Sequence, residues 1–241
     1  MDNDLTSKSI LSGILAGNDT LDRWTGGEWV CDRGNSENFL VSCVGDHFLA
    51  GMPGWLVWPE TKAAHDFNYV GTRYRDHVHD CEPIRVFGGV RYDLGLLRSS
   101  STISGLIEIK RYWTKNDLTR LAHALFYLGI KPQRVQGGGK KGVLLESVFF
   151  GAFIWHNPKA NASDPNGLPV EERYHNIQAE IKDWWQGAKT GGDAPIQKQF
   201  ETVYGFCPQP KISYTSKAGT GSKGQWEAGA VCVCLSLNEE P

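Results

Sequence analysis

No stretch of the 241-residue chain is apolar for long enough to span a bilayer as a helix, so no membrane partner is expected. The opening MDNDLTSKSILSGILAGNDT has no basic region, apolar stretch or small-residue cleavage site of a signal peptide, and a cytoplasmic protein is expected. There is no CxxC pair: Cys31, Cys43, Cys81, Cys207, Cys232 and Cys234 are scattered, which argues against a disulfide framework or a zinc ribbon and predicts reduced thiols. Low-complexity tracts, internal repeats and ATPase or methylase motifs are missing as well.

What is present is enough sequence for one substantial core, or for a core with a smaller appendage. The net charge of −2 conceals an asymmetry. Residues 1–60 carry only Lys8, Arg23 and Arg33 against a larger set of acids, whereas residues 109–142 set Lys110, Arg111, Lys115, Arg120, Lys131, Arg134, Lys140 and Lys141 against Asp117 alone. A local positive field of that kind suits a polyanion, whatever the global balance.

Periodicity predicts a mixed α/β order. A helix is expected from about Ser36 to Ala50, capped by Asn35 or Ser36, striped by Leu40/Val41, Val44 and Phe48, and stopped by Gly51 and Pro53. GWLVWPE reads as a strand closing on Glu60; Gly88-Gly89 reads as a bulge or turn, and Val90, Tyr92, Leu94 and Leu96 alternate as the next strand. RSSST links it to a strand in SGLIEIKRYW. A helix follows in NDLTRLAHALFYLG, with Asn116 as cap and Leu118, Leu121, Leu125 and Leu128 as stripe. The basic loop KPQRVQGGGKK then leads to GVLLESVFFGAFIW, a buried central strand by its unbroken apolarity. After a polar stretch to Pro169, EERYHNIQAEIKDWWQ reads as a helix. The tail from Phe200 reads as strands joined by glycine-rich turns, with Cys232 and Cys234 on one strand face.

Within that frame the segment SGLIEIKRYW poses a chemical question, because Glu108 and Lys110 interrupt an apolar strand two residues apart and so share a face. Asp93, on the preceding strand, is expected beside them. Two carboxylates and an ammonium at adjoining strand ends can hold a hard divalent cation and handle the charge of a phosphodiester. Glu37 lies three, four and seven positions before members of its helix's stripe, so it faces the core side and needs a positive or hydrogen-bonding partner there.

Asp93, fourteen residues, then Glu108-Ile109-Lys110 resembles the PD-(D/E)XK motif of the restriction-endonuclease-like nuclease superfamily. Arg91 matches a basic residue often found two positions before the motif aspartate, and Tyr92 stands where proline is usual. The resemblance implies a restriction-endonuclease-like core of helix, three-stranded antiparallel meander, helix and strand over residues 34–156. Residues 1–33 would be an N-terminal extension, and residues 157–241 a C-terminal helix and β-rich extension packing on the core.

The resemblance further implies a nuclease using Mg²⁺, with Mn²⁺ able to substitute, to hydrolyse phosphodiester bonds in nucleic acid, with DNA preferred as the substrate. Catalytic roles would fall to Asp93, Glu108, Lys110 and Glu37, and metal binding to Asp93, Glu108 and Ile109. Arg91, Arg111, Lys115, Lys140 and Lys141 would bind nucleic acid. The size is that of a stand-alone type II restriction enzyme, and a homodimer is compatible with it.

Other signals are weighed against plainer explanations. Asp76, His77, His79, Asp80 and Cys81 in RDHVHDCEP lack the further ligands that a structural zinc site needs and read as a polar loop. Gly219 to Gly224 satisfies GxGxxG, but between strands it reads as a hairpin loop and not a dinucleotide site. Trp184 and Trp185 read as core; Glu60 reads as an exposed strand end. The rival to the nuclease is a non-catalytic nucleic-acid-binding or assembly module on the same fold.

Overall fold

A computed structural model of the chain describes residues 1–26, 36–62, 91–98, 103–129, 145–156, 167–187, 195–221 and 224–237. Among them are five helices and six strands. In chain order these are α1 (Asn3–Trp24), α2 (Ser36–Gly51), β1 (Trp55–Lys62), β2 (Arg91–Arg98), β3 (Ile103–Lys110), α3 (Lys115–Gly129), β4 (Ser147–His156), α4 (Val170–Gly187), α5 (Ile196–Tyr204), β5 (Lys211–Gly221) and β6 (Gly224–Ser236). The strands form one mixed sheet in the order β1-β2-β3-β4-β6-β5. β1, β2 and β3 pair antiparallel, β4 runs parallel to β3, and β6 and β5 continue antiparallel beyond it. The parallel step between β3 and β4 is the one that needs a crossover, and α3 supplies it.

Burial on both sides of the sheet follows the strand period of two. Tyr92, Leu106, Phe150, Ala152, Ile154, Val231 and Val233 join the core under α3, α4 and α5. Leu94, Ile107, Ile109, Phe149, Phe153, Cys232 and Cys234 join the core under α1 and α2. β4 is covered on both faces and is apolar from Val148 to Trp155, as suits a central strand. β1 is an edge strand among the described residues and accommodates Pro59, which has no N–H to give to a ladder.

Helix α1 is built on a different pattern from the rest. Asp2 caps it by accepting from Leu5 N–H (3.0 Å). Its buried side carries Ile10, Leu11 and Ile14, yet also Asn3, Thr6, Ser7, Ser9, Gly13, Gly17 and Asn18. The glycines let two backbones touch: a Cβ at Gly13 would lie 2.5 Å from Val44 Cα of α2, and one at Gly17 would lie 2.8 Å from Leu40 Cδ2. The Ser147 hydroxyl, fully buried, donates to Asn3 Oδ1 (2.9 Å) and ties the helix start to β4. Residues 1–24, expected only as an extension, thus cover one face of the sheet.

Two local expectations are corrected. Asn116 lies inside α3, and its N–H is taken by the Thr114 hydroxyl (3.3 Å), so Thr114 serves the helix start. Residues Phe200 to Tyr204, expected as strand, close the helix α5, whose Ile196 and Phe200 are buried four apart and which ends on Gly205 at φ 79°. The GxGxxG segment joins β5 to β6, with Gly221 paired to Gly224, and no helix follows it. Gly88-Gly89, the RDHVHDCEP segment and the basic loop with Lys140 and Lys141 lie outside the described residues.

Candidate active site

β2 and β3 set the first two acids side by side. Leu94 pairs with Ile107 and Gly95 with Leu106, and one further step along this ladder puts Asp93 abreast of Glu108. Asp93 Oδ2 accepts from the Ile109 N–H at 2.6 Å, which fixes the carboxylate across the two strand ends. On β3 itself, Glu108 and Lys110 share a face as strand geometry requires, and their side chains meet, with Lys110 Nζ 2.9 Å from Glu108 Oε1.

Glu37 arrives from the first turn of α2. Its Oε1 accepts from Lys110 Nζ at 3.0 Å and its Oε2 from the Arg111 N–H at 3.4 Å. The positive partner that its core-side placement demanded is therefore Lys110. Four residues spread over 74 positions come together at the carboxyl end of β3.

One member of the cluster was not singled out from the sequence. Arg120, one turn into α3, donates through NH2 to Glu108 Oε1 and stands 3.6 Å from Asp117 Oδ1. Its guanidinium also lies 5.5 Å from the centre of the Tyr92 ring. In the sequence it counted only as one more charge of the basic stretch. Its i,i+3 relation to Asp117 was visible there, but its reach to β3 was not.

The electrostatics follow from this crowding. Glu108 is all but buried, with 3% of its side chain exposed, and Lys110 is at 21%. Burial above all, and the charge of Glu108 after it, push the Asp93 carboxyl up to about 7, against the opposing pull of the Ile109 N–H and Lys110. Burial alone would lower Lys110, but its hydrogen bonds with Glu108 and Glu37 and the charges of Glu108 and Asp93 outweigh this and raise it, so the amine is held charged. Burial raises the Tyr92 hydroxyl well above its ordinary range.

Among the described residues, no three His, Cys, Asp or Glu side chains are grouped as a preformed protein cage for a metal would need. Mg²⁺, however, is commonly held by one or two carboxylates while it keeps several waters. The donor set of Asp93 and Glu108 suits that habit: both offer hard oxygens, and Glu108 Oε2 is buried with no hydrogen-bond partner among the described residues. Ile109, expected in the metal set, gives its N–H to Asp93 and its side chain to the core under α1 and α2.

Of the residues expected to bind nucleic acid, Arg91, Arg111 and Lys115 are among the described residues, and Lys140 and Lys141 are not. Arg91 is paired with Glu60 at 2.6 Å on the sheet edge, both side chains exposed, which also gives Glu60 a partner away from Glu108. Arg111 lies over the Tyr112 ring at 4.7 Å and donates to its hydroxyl at 2.6 Å. Lys115 is exposed at the start of α3. Trp185 is buried in the core, and Trp184 packs against it while donating to Thr119 Oγ1 at 2.8 Å. No helix among the described residues is long and apolar enough to cross a membrane.

Compared with known proteins, the chain matches no family model, no curated protein and no solved structure.

Proposed function

We propose that this chain is a metal-dependent nuclease that hydrolyses phosphodiester bonds, with DNA as its substrate, on a restriction-endonuclease-like core. The observation that carries the reading is the meeting of Glu37, Asp93, Glu108 and Lys110 at one end of β3, with Lys110 Nζ 3.0 Å from Glu37 and 2.9 Å from Glu108. The order α2, β1, β2, β3, α3, β4, with an antiparallel meander and then a parallel strand, agrees with it.

Asp93 and Glu108 would hold Mg²⁺, or Mn²⁺ in its place, next to Ile109, and the ion would supply water activation and charge neutralisation on the phosphodiester. The chain's own groups divide the remaining work. Lys110, kept charged by its two acids, orients the attacking water and stabilises the negative charge that grows on the phosphoryl oxygens. Glu37 holds Lys110 and the backbone at Arg111, so the ammonium stays aimed at the strand end. Asp93 must be ionised to serve, and the charge of a bound ion would oppose the burial that lifts its carboxyl to about 7 in the metal-free protein. Arg111 and Lys115, just beyond the site, together with Arg91, Lys140 and Lys141, would hold the phosphate backbone.

A second reading has its own observation. Glu108 is already met by two cations, Lys110 and Arg120, as a structural ion network would be. A non-catalytic nucleic-acid-binding or assembly module on this fold would look the same at this point. The purified protein incubated with Mg²⁺ or Mn²⁺ on plasmid, linear duplex, single-stranded DNA and RNA separates the two. Cleavage of DNA that stops on chelation is expected; intact substrates throughout, with or without binding, would favour the module.

A further inference from the structure

We propose that Arg120 is the positioning residue of Glu108, holding one carboxylate oxygen so that the other is presented to the metal; this rests on the nuclease reading above. Glu108 Oε1 takes hydrogen bonds from both Arg120 and Lys110, while Oε2 is buried and has none among the described residues. A carboxylate engaged on one oxygen by a planar guanidinium cannot turn freely about its last torsion. Arg120 thereby selects Oε2 as the liganding atom and prevents Glu108 from closing onto Lys110 with both oxygens.

The setting of Arg120 supports a fixed orientation over a mobile substrate contact. Its side chain is 28% exposed, its Cζ lies 5.5 Å from the Tyr92 ring centre, and Asp117 on the preceding turn stands 3.6 Å from NH2. Ring, acid and helix backbone thus determine where the guanidinium can lie. Its Nε is buried and has no hydrogen-bond partner among the described residues, while its NH2 donates to Glu108 Oε1. Outer partners of this kind typically carry ten- to a hundredfold of metal affinity or activity.

The test measures Mn²⁺ binding by calorimetry in wild type, R120Q, R120K and E108Q, with thermal melting and DNA affinity in chelator measured alongside. Mn²⁺ affinity is expected to fall about 10- to 100-fold in R120Q. Part of it should return in R120K, which restores the charge without the fork, while DNA affinity in chelator stays within about twofold. The cleavage deficit of R120Q should shrink as the metal concentration is raised, since metal placement and not the chemical step is impaired. If wild type and E108Q both bind no Mn²⁺, the nuclease reading fails and the role of Arg120 with it. If wild type binds the ion, E108Q does not, and R120Q binds as wild type does, only the role of Arg120 is overturned. Should R120Q not fold, the comparison of R120K with wild type decides, equal Mn²⁺ affinity again overturning the assignment.

Discussion

Helix α2 touches α1 through bare backbone, at Gly13 against Val44, and touches β3 through charge, at Glu37 against Lys110. The first contact has no titratable partner and depends on shape alone. The second balances three acids, Glu37, Asp93 and Glu108, against two cations, Lys110 and Arg120, in partly dehydrated surroundings. Close packing at the helix middle gives α2 a rigid seat, and that seat delivers Glu37 to the cluster in a fixed position. The difference assigns the two regions different sensitivities: the glycine contact answers to side-chain volume, and the charged cluster to pH, metal and single-charge changes.

The largest effect is expected at Lys110. Lys110→Ala should remove DNA cleavage to the limit of detection while leaving DNA binding nearly unchanged, because one lysine adds little grip but is the cation held at the strand end by both Glu37 and Glu108. Gel-based cleavage and binding assays on the same preparation check this; loss of binding in step with cleavage would contradict it.

Next comes pH. Asp93 is held up at about 7 when folded, against an ordinary 3.8, so the metal-free native state keeps a proton that the unfolded chain has released. This contribution makes stability fall as pH rises from about 4 through about 7, and level off above. Asp93→Asn should remove that slope and be the more stable form at pH 8. Urea midpoints of both proteins at pH 5, 6.5 and 8, in chelator, measure it. Parallel profiles would mean that Asp93 is not held up by burial and Glu108.

The glycine contact should behave otherwise. Gly13→Ala forces a methyl group against Val44 and is expected to cost about 1–3 kcal/mol, a cost uniform from pH 5 to 8. A variant as stable as wild type would show that the two helices can part without penalty.

Glu37 joins the two regions and should show the smallest change in stability. Glu37→Gln is expected to shift stability by no more than about 1 kcal/mol, through its position in the first turn and its half-exposed ion pair. Metal use and cleavage should nevertheless weaken, with DNA affinity preserved. A metal titration that superimposes on that of wild type would reduce Glu37 to a helix-start acid.

These contrasts also account for what could be read from the sequence. Glu108 and Lys110 were legible because a period of two places them on one face, and Asp93 because a short link ties its strand to theirs. Glu37 was legible from its offset to Leu40, Val41 and Val44. Arg120 was hidden because nothing local connects a residue in the second turn of a helix to a strand residue twelve positions earlier; the contact exists only once α3 is packed on the sheet. Helix α1 escaped for another reason. Much of its buried side is made of Ser, Thr, Asn and Gly, so only Ile10, Leu11 and Ile14 mark that side as apolar. In α5 only Ile196 and Phe200 are buried, too few to outweigh the strand-like composition that follows.

The central claim is that Asp93 and Glu108 act together on a metal at the end of β3. The most direct measurement is Mg²⁺-dependent cleavage of plasmid DNA by wild type, Asp93→Ala and Glu108→Ala, each first shown by circular dichroism to be folded. Cleavage by wild type that is abolished by chelator and by either substitution is the predicted result; cleavage that persists in chelator or in either variant would contradict it.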